Sequence, residues 1–244
     1  GYWKNGEKVK KVFKEKGWRQ IATFDSEPPH HTKFRKASNP SFTASKVRKM
    51  EPYIEILINE LIDEFIGDGE VEFISQFCIP LPMNIIQDRL GFPKKDLSKL
   101  KAWSFDTSEG LSQRLTEEEE IACAERLVKF QHYMNKTFEE KRKNPKEDII
   151  SDLVNFKFED GTQLTTEELL SMVSALNIGG NETTTNSIAG GMLILMQQKE
   201  KLNDLINGKA KLKNFVEEII RLETPVQSLF RRVRKDVTIG DVTI

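Results

Sequence analysis

The run Gly179-Gly180-Asn181-Glu182-Thr183-Thr184-Thr185 constrains this chain more than any other feature. It falls in the middle of a stretch that reads as one long helix, from near Thr165 to near Gln198. Thr165 and Glu168 have capping-box spacing, which marks the start. Leu169, Met172, Val173 and Leu176 recur at helical spacing on one side of the run, and Ile188, Met192, Leu195 and Met196 on the other. Each interior glycine costs a helix about 1 kcal/mol relative to alanine, and threonines add to that cost. A helix built for stability alone would not place all of these residues at its centre. Either another helix crosses closely at the glycines and Glu182 faces water, or something approaches the backbone there and needs a polar group.

Two other segments carry a pattern. Glu218-Ile-Ile-Arg221 sets a carboxylate and a guanidinium three residues apart on one helix face, a spacing common on solvated helices. Thr224-Pro225-Val226 follows; Pro225 ends the helix, and an extended segment carries Arg231 away from it, with Asp236 beyond. Near the start, Glu27-Pro28-Pro29-His30-His31-Thr32-Lys33-Phe34-Arg35 is a proline-marked helix start. His31 and Arg35 share a face of that helix. Two donors on one face suit an anion such as a carboxylate, and a solvated basic face accounts for them equally well.

Together the three segments resemble the cytochrome P-450 family, the haem-thiolate monooxygenases, in order as well as in composition. Pro28-Pro29-x-His31-Thr32-x-x-Arg35 is similar to the family's helix over the haem propionates. Asp160-Gly161 followed by Leu164-Thr165-x-Glu167-Glu168-Leu169 looks like the start of its long central helix. Gly179-Gly180-Asn181-Glu182-Thr183-Thr184 resembles the oxygen-activation motif on that helix, and Glu218-x-x-Arg221 the family's Glu-x-x-Arg motif. Pro225-Val226 and Arg231 resemble the segment that follows it. The similarity runs from about Phe24 to Ile244.

The resemblance implies a mainly α fold, the central part of the cytochrome P-450 fold, with a long central helix and a small β component. It implies a haem-dependent monooxygenase that inserts one oxygen atom from O2 into an apolar organic substrate. Glu182 and Thr183 become the catalytic acid–alcohol pair that delivers protons. Gly179 and Gly180 leave room beside the helix, and Thr183 can bond the carbonyl of Gly179 and bend the helix locally. His31, Arg35 and Arg231 hold the two haem propionates, for which the planar guanidinium fork is well suited. Glu218 and Arg221 form a buried structural pair, costly to break because the remaining charge is stranded. Ala175, Leu176, Val226 and Leu229 wall an apolar substrate pocket, a role that plain core packing would explain as well. A ferredoxin- or flavodoxin-type protein supplies electrons, and Lys33, Arg35 and Lys36 offer it a basic face.

The chain also departs from the family pattern. The haem-ligand cysteine belongs to a Phe-x-x-Gly-x-x-x-Cys-x-Gly loop, whereas Cys78 and Cys123 lack that context and precede the central helix. No metal ligand is therefore assigned within the chain, and the axial cysteine is expected beyond Ile244. Residues 237–244 read as two short strands joined at Gly240-Asp241, and the chain starts with Gly1. The expectation is one partial domain over residues 1–244, truncated at both ends and inactive alone. A helical ligand-binding module, or a decayed relative without haem, remains the alternative.

Composition narrows the partners. The 37 basic and 38 acidic residues nearly cancel, so no global charge draws the chain to nucleic acid. Two cysteines make no disulfide framework, which fits a reducing, cytoplasmic setting. No apolar run approaches the roughly 20 residues that span a bilayer. Gly-x-Ser-x-Gly, His-Glu-x-x-His and Walker-type loops are missing from the sequence, and with them three enzyme classes.

Periodicity places the remaining helices at Lys8–Lys16, Ser45–Phe65, Ile79–Leu90, Leu97–Thr107, Thr116–Lys143, Ile149–Phe156, Lys199–Asn207 and Leu212–Leu222. Val71–Phe73 reads as a short strand. The Glu117–Glu120 run is an acidic first turn favoured by the helix dipole, and Lys141–Lys146 a solvated charged loop.

Overall fold

The computed structural model describes residues 3, 5–24, 26–112, 114–227, 233 and 235–244. It divides into two compact units, residues 1–185 and residues 186–244, with the boundary inside the longest helix. Helices dominate, as the periodicity requires. In chain order they are α1 (Gly6–Lys16), α2 (His30–Ser38), α3 (Ala44–Arg48), α4 (Glu51–Asp63), α5 (Pro80–Leu90) and α6 (Leu97–Ser112). Then follow α7 (Glu117–Lys143), α8 (Ile149–Asn155), α9 (Thr166–Gln197), α10 (Lys199–Ile206) and α11 (Leu212–Leu222).

The helix starts follow local chemistry. Thr116 and Glu119 close a reciprocal capping box on α7, and Thr165 and Glu168 do the same for α9. Asp148 caps α8 by accepting from the Ser151 amide at 2.7 Å. Gly91 ends α5 with φ of 81°, a left-handed conformation that glycine adopts without strain.

The core of the first unit lies among α2, α5, α7, α8 and the first half of α9. Phe34, Leu90, Phe138, Ile150, Leu169 and Met172 are essentially sealed there. Val9 and Phe13 of α1 pack on Cys123 and Leu127 of α7 in a satellite cluster, as the α1 pattern predicts. In the second unit, Ile219 of α11 is buried and packs over Gly191 of α9, where a Cβ would still keep ordinary contact distance. The small β component is a hairpin of β1 (Thr238–Ile239) and β2 (Val242–Thr243). It is antiparallel, with Thr238 opposite Thr243 and the turn at Gly240, φ 59°.

Four local expectations give way. The single helix over Ser45–Phe65 is two helices, because Pro52 has no N–H and its ring clashes with the carbonyl four residues back. The chain stops α3 at Arg48 and restarts α4 with Pro52 in the first turn. Val71–Phe73 is not a strand. The Ser75 amide donates to Glu72 Oε2 at 2.7 Å and the Glu72 amide donates to Gln76 Oε1 at 2.8 Å, which turns the chain into a wide π-type turn over Ile74–Cys78.

The helix expected over Leu97–Thr107 continues to Ser112, and Gly110 on its added turn leaves room for the Trp3 ring. Nor is Lys141–Lys146 simply a solvated loop. Lys141 sits on the last turn of α7, buried, ion-paired with Asp148, and donates to the Gly91 carbonyl at 3.0 Å.

Candidate functional site

α9 is built from two unlike faces at its centre. Successive residues turn by about 100°, so Gly179 and Thr183 stack on one side while Asn181 points to the other. A Cβ placed on Gly179 would meet nothing among the described residues, which marks open space there. A Cβ on Gly180 would come within 2.7 Å of Ile86 on α5. The close-crossing reading holds for Gly180, while Gly179, about 100° around the helix, leaves its own side clear of the described residues.

Thr183 sits one turn after Gly179, and its Oγ1 donates to the Gly179 carbonyl at 2.8 Å, as the sequence predicts. This bond competes with the regular ladder and tends to open a helix locally. Glu182 is half-buried beside it and, among the described residues, has no hydrogen-bond or ion-pair partner. An unengaged carboxylate next to a hydroxyl, on the rim of an open helix face, is suited to passing protons.

α2 comes to the same face. Arg35 is exposed and lines a hollow of about 190 Å³ with Phe24, Ser38, Phe42 and Leu176. Leu176 lies three residues before Gly179, on the clear side of α9. The hollow thus sets one cation and apolar walls beside Leu176, which lies about one turn of α9 before Gly179. His31, half-buried, precedes Arg35 by one turn of α2, and Ala175 is half-buried beside Leu176. Lys33 of α2 makes an ion pair with Glu168, which also closes the α9 capping box, so the two helices are tied where α9 begins. That tie joins positions 135 residues apart, too far for local spacing to reveal it.

The basic face expected of Lys33, Arg35 and Lys36 is largely neutralised. Lys33 is held by Glu168, and Lys36 pairs with Glu159 at 2.6 Å.

In the second unit, Glu218 and Arg221 meet across one turn of α11, Arg221 Nη2 to Glu218 Oε1 at 2.6 Å. The Arg221 hydrogen bond holds the Glu218 carboxyl below its ordinary range. The pair is solvated rather than buried: the side chains are 66% and 52% exposed. The reason is that the polar side of this amphipathic helix carries them, while Ile219 is its buried contact. Val226 is exposed, and Leu229 and Arg231 lie outside the described residues.

Cys78 and Cys123 are buried free thiols. Burial, with the nearby charge of Glu72, pushes the Cys78 thiol up to about 11; burial and Asp106 push Cys123 up to about 12. A thiol so shifted is protonated at neutral pH.

Sequence reasoning missed a polar seam on the back of α9. Asn177, Asn181 and Thr185 recur every four residues and are all buried. Thr185 Oγ1 donates to the Cys78 carbonyl at 3.0 Å, and Gln87 of α5 donates to Asn177 Oδ1 at 2.8 Å. The period-four spacing of these polar residues was the available signal.

Comparison with known proteins bears on this geometry. The profile of the family described as Cytochrome P450 matches residues 95–207. A putative cytochrome P450 of Bacillus subtilis, YjiB, is 35% identical over 221 residues, covering 88% of this chain and 54% of the relative. The Vitamin D(3) 25-hydroxylase of Pseudonocardia autotrophica is 32% identical over 219 residues, covering 89% of this chain and 53% of that protein. The chain thus spans about half the length of these curated relatives. The crystal structure of CYP109E1 from Bacillus megaterium in complex with testosterone superposes with a TM-score of 0.79 at 32% identity, covering 99% of this chain and 68% of that one.

Proposed function

This chain belongs to the cytochrome P450 family, and from that premise we propose that the complete gene product is a haem-dependent monooxygenase acting on an apolar organic substrate. One observation carries the reading. The open face of α9 at Gly179 and Thr183 continues through Leu176 into a hollow that Arg35 of α2 also lines. Leu176 of α9 and Arg35 of α2, far apart in sequence, line one hollow.

The described residues fit a haem on this side. Gly179 leaves room for a flat ring at the helix, Phe24, Phe42 and Leu176 provide apolar contact, and Arg35 offers a fork of donors for a carboxylate. Bound haem supplies the oxygen chemistry, with a thiolate ligand that donates electron density to the iron. Neither Cys78 nor Cys123 is that ligand in this reading. His31 and Arg231 join Arg35 in holding the propionates.

The chain's own contribution is proton handling. Glu182 would take up a proton from solvent at the rim and hand it to Thr183 Oγ1 as the Thr183 hydroxyl turns from the Gly179 carbonyl and releases its own proton toward the open face, so that both groups return to their starting states. Ala175 and Leu176 shape the apolar side, where water is excluded. For Val226 and Leu229 a place in the substrate pocket rests on the family resemblance alone. An apolar substrate is supported by two relatives, one named as a vitamin D(3) hydroxylase and one solved with testosterone. Electrons come from a ferredoxin- or flavodoxin-type donor. Because Lys33 and Lys36 are already paired, the basic trio does not by itself mark the docking face.

The test is made on the complete gene product. The expected results are a thiolate-type carbon monoxide spectrum and transfer of one labelled atom from dioxygen into product. Thr183→Ala should retain haem but yield several-fold less product per reductant consumed. Full coupling in that variant would refute the relay. A protein that takes up no haem would return the chain to a helical ligand-binding module.

A further inference from the structure

Among the described residues, the seam behind α9 leaves two buried side-chain oxygens without a protein partner. Gln87 is almost fully buried, and its Nε2 is engaged by Asn177 Oδ1 at 2.8 Å, with Met83 Sδ at 3.5 Å. Its other amide atom, Oε1, is buried without a protein partner among the described residues. Asn181, one turn beyond Asn177 on the same side of α9, buries its Oδ1 in the same condition. Exchanging the amide atoms does not remove the problem. Turning Gln87 and Asn177 over together makes Asn177 the donor and leaves a Gln87 N–H unpaired instead. Buried polar atoms without partners are rare in folded proteins, and ordered water is the usual partner where a site is polar and not sealed.

We propose that this seam is an internal-water site, in which ordered water donates to Gln87 Oε1 and to Asn181 Oδ1 and so fastens the central turns of α9 to α5. Water suits the site because it can both donate and accept, which serves either orientation of the amides. Asn181 keeps 8% of its surface exposed, so water has a way in. The direct bonds on either side, Gln87 to Asn177 and Thr185 to the Cys78 carbonyl, fix the seam's ends. Gly180 packs against Ile86 between them and brings the two helices close. The seam lies on the side of α9 away from Gly179 and Thr183, so it is separate from the face assigned to the reaction and does not depend on that assignment.

The test has two arms, neither of which involves turnover. A crystal structure of the complete gene product, at a resolution that shows water, should place ordered water within hydrogen-bond distance of Gln87 Oε1 and Asn181 Oδ1. The second arm is Asn181→Leu, a near-isostere without the polar atoms, measured by thermal unfolding. If the acceptor is hydrated, the substitution evicts the water and the midpoint falls by about 2–4 °C. If the acceptor is unpaired, removing it raises the midpoint. A dry seam in the crystal, or a raised midpoint, overturns the proposal. Because the crystal arm uses the unaltered protein, a variant that fails to fold leaves it decisive. A wet seam in a protein that binds no haem would sink the monooxygenase reading and leave this one standing.

Discussion

Two ion pairs divide this molecule by their surroundings. Lys141 and Asp148, where α7 ends and α8 begins, keep 7% and 5% of their side chains exposed. Glu218 and Arg221 on α11 keep about half or more. Both are contacts between a cation and a carboxylate, and only the second has a spacing that sequence motifs recognise. The buried pair is a fastening. Lys141 also donates to the Gly91 carbonyl, and Gly91 must be glycine twice over: its φ is 81°, and a Cβ there would fall on Asp148 and Lys141. The exposed pair can trade each partner for water. Position in the packing, rather than the residue pair, sets the weight of the interaction.

The largest predicted effect breaks the buried side of this comparison. Lys141→Met leaves the Asp148 carboxylate desolvated without its cation and should cost about 3–5 kcal/mol. In denaturant titration of the 244-residue chain the midpoint should fall with the slope unchanged. Replacing both partners, Lys141→Met with Asp148→Leu, should recover much of the loss, since no charge is then stranded. A double variant no better than the single would show that the pair acts through the Ser151 cap, which Asp148 also accepts, rather than through its charge.

A second contrast, one residue apart, sharpens the same lesson. Gly180→Ala drives a methyl against Ile86 and should destabilise by about 1–3 kcal/mol, the cost of overpacking a filled contact. Gly179→Ala meets open space and should stabilise the chain by about 1 kcal/mol through helix propensity. The pair is read by comparing the two unfolding midpoints. In the complete gene product the same methyl on Gly179 should lower haem occupancy. Equal destabilisation by both would deny that α9 has one clear and one packed face.

Much of this was legible in the sequence, for local reasons. The Thr165–Glu168 box, the Gly91 stop and the Gly240 turn are short-range devices, and each formed where the spacing placed it. Pro52 was legible too, but the strong apolar periodicity around it masked the break. What could not be read was which charges are buried. Glu120 looks like its three acidic neighbours at the start of α7. It is nonetheless buried, accepting from the backbone and side-chain amides of Asn5, 115 residues earlier, each at 2.9 Å. Lys141 resembles any cation in a last helical turn. The polar seam left only the period-four spacing of Asn177, Asn181 and Thr185 as a signal, and its partner Gln87 lies 90 residues from Asn177.

The two thiols carry a smaller effect, tied to pH. Their folded pKa values, about 11 and about 12, lie above the ordinary thiol range of about 8.5. The folded state therefore holds protons that the unfolded chain releases. That contribution is intact below the ordinary thiol value and fades as pH climbs toward 11. Stability measured across that alkaline window should decline, and Cys78→Ser with Cys123→Ser should flatten the decline. At neutral pH a thiol reagent should modify neither cysteine until the chain unfolds. Rapid labelling of the folded chain would show that burial does not protect them.

The smallest effect tests the exposed side. Arg221→Ala in the 244-residue chain removes a pair whose partner is solvated, so no charge is stranded. The unfolding midpoint should not move measurably, and added salt should not change that result, because screening has little left to weaken. The same substitution in the complete gene product examines what the family resemblance implies. If the pair there supports the haem-ligand region, haem content should fall although the isolated chain was indifferent. That split would show one ion pair changing weight as its surroundings change, the difference that separates it from Lys141 and Asp148. A fall in the isolated chain as large as that of Lys141→Met would remove the comparison, since solvation would then have failed to decide the cost.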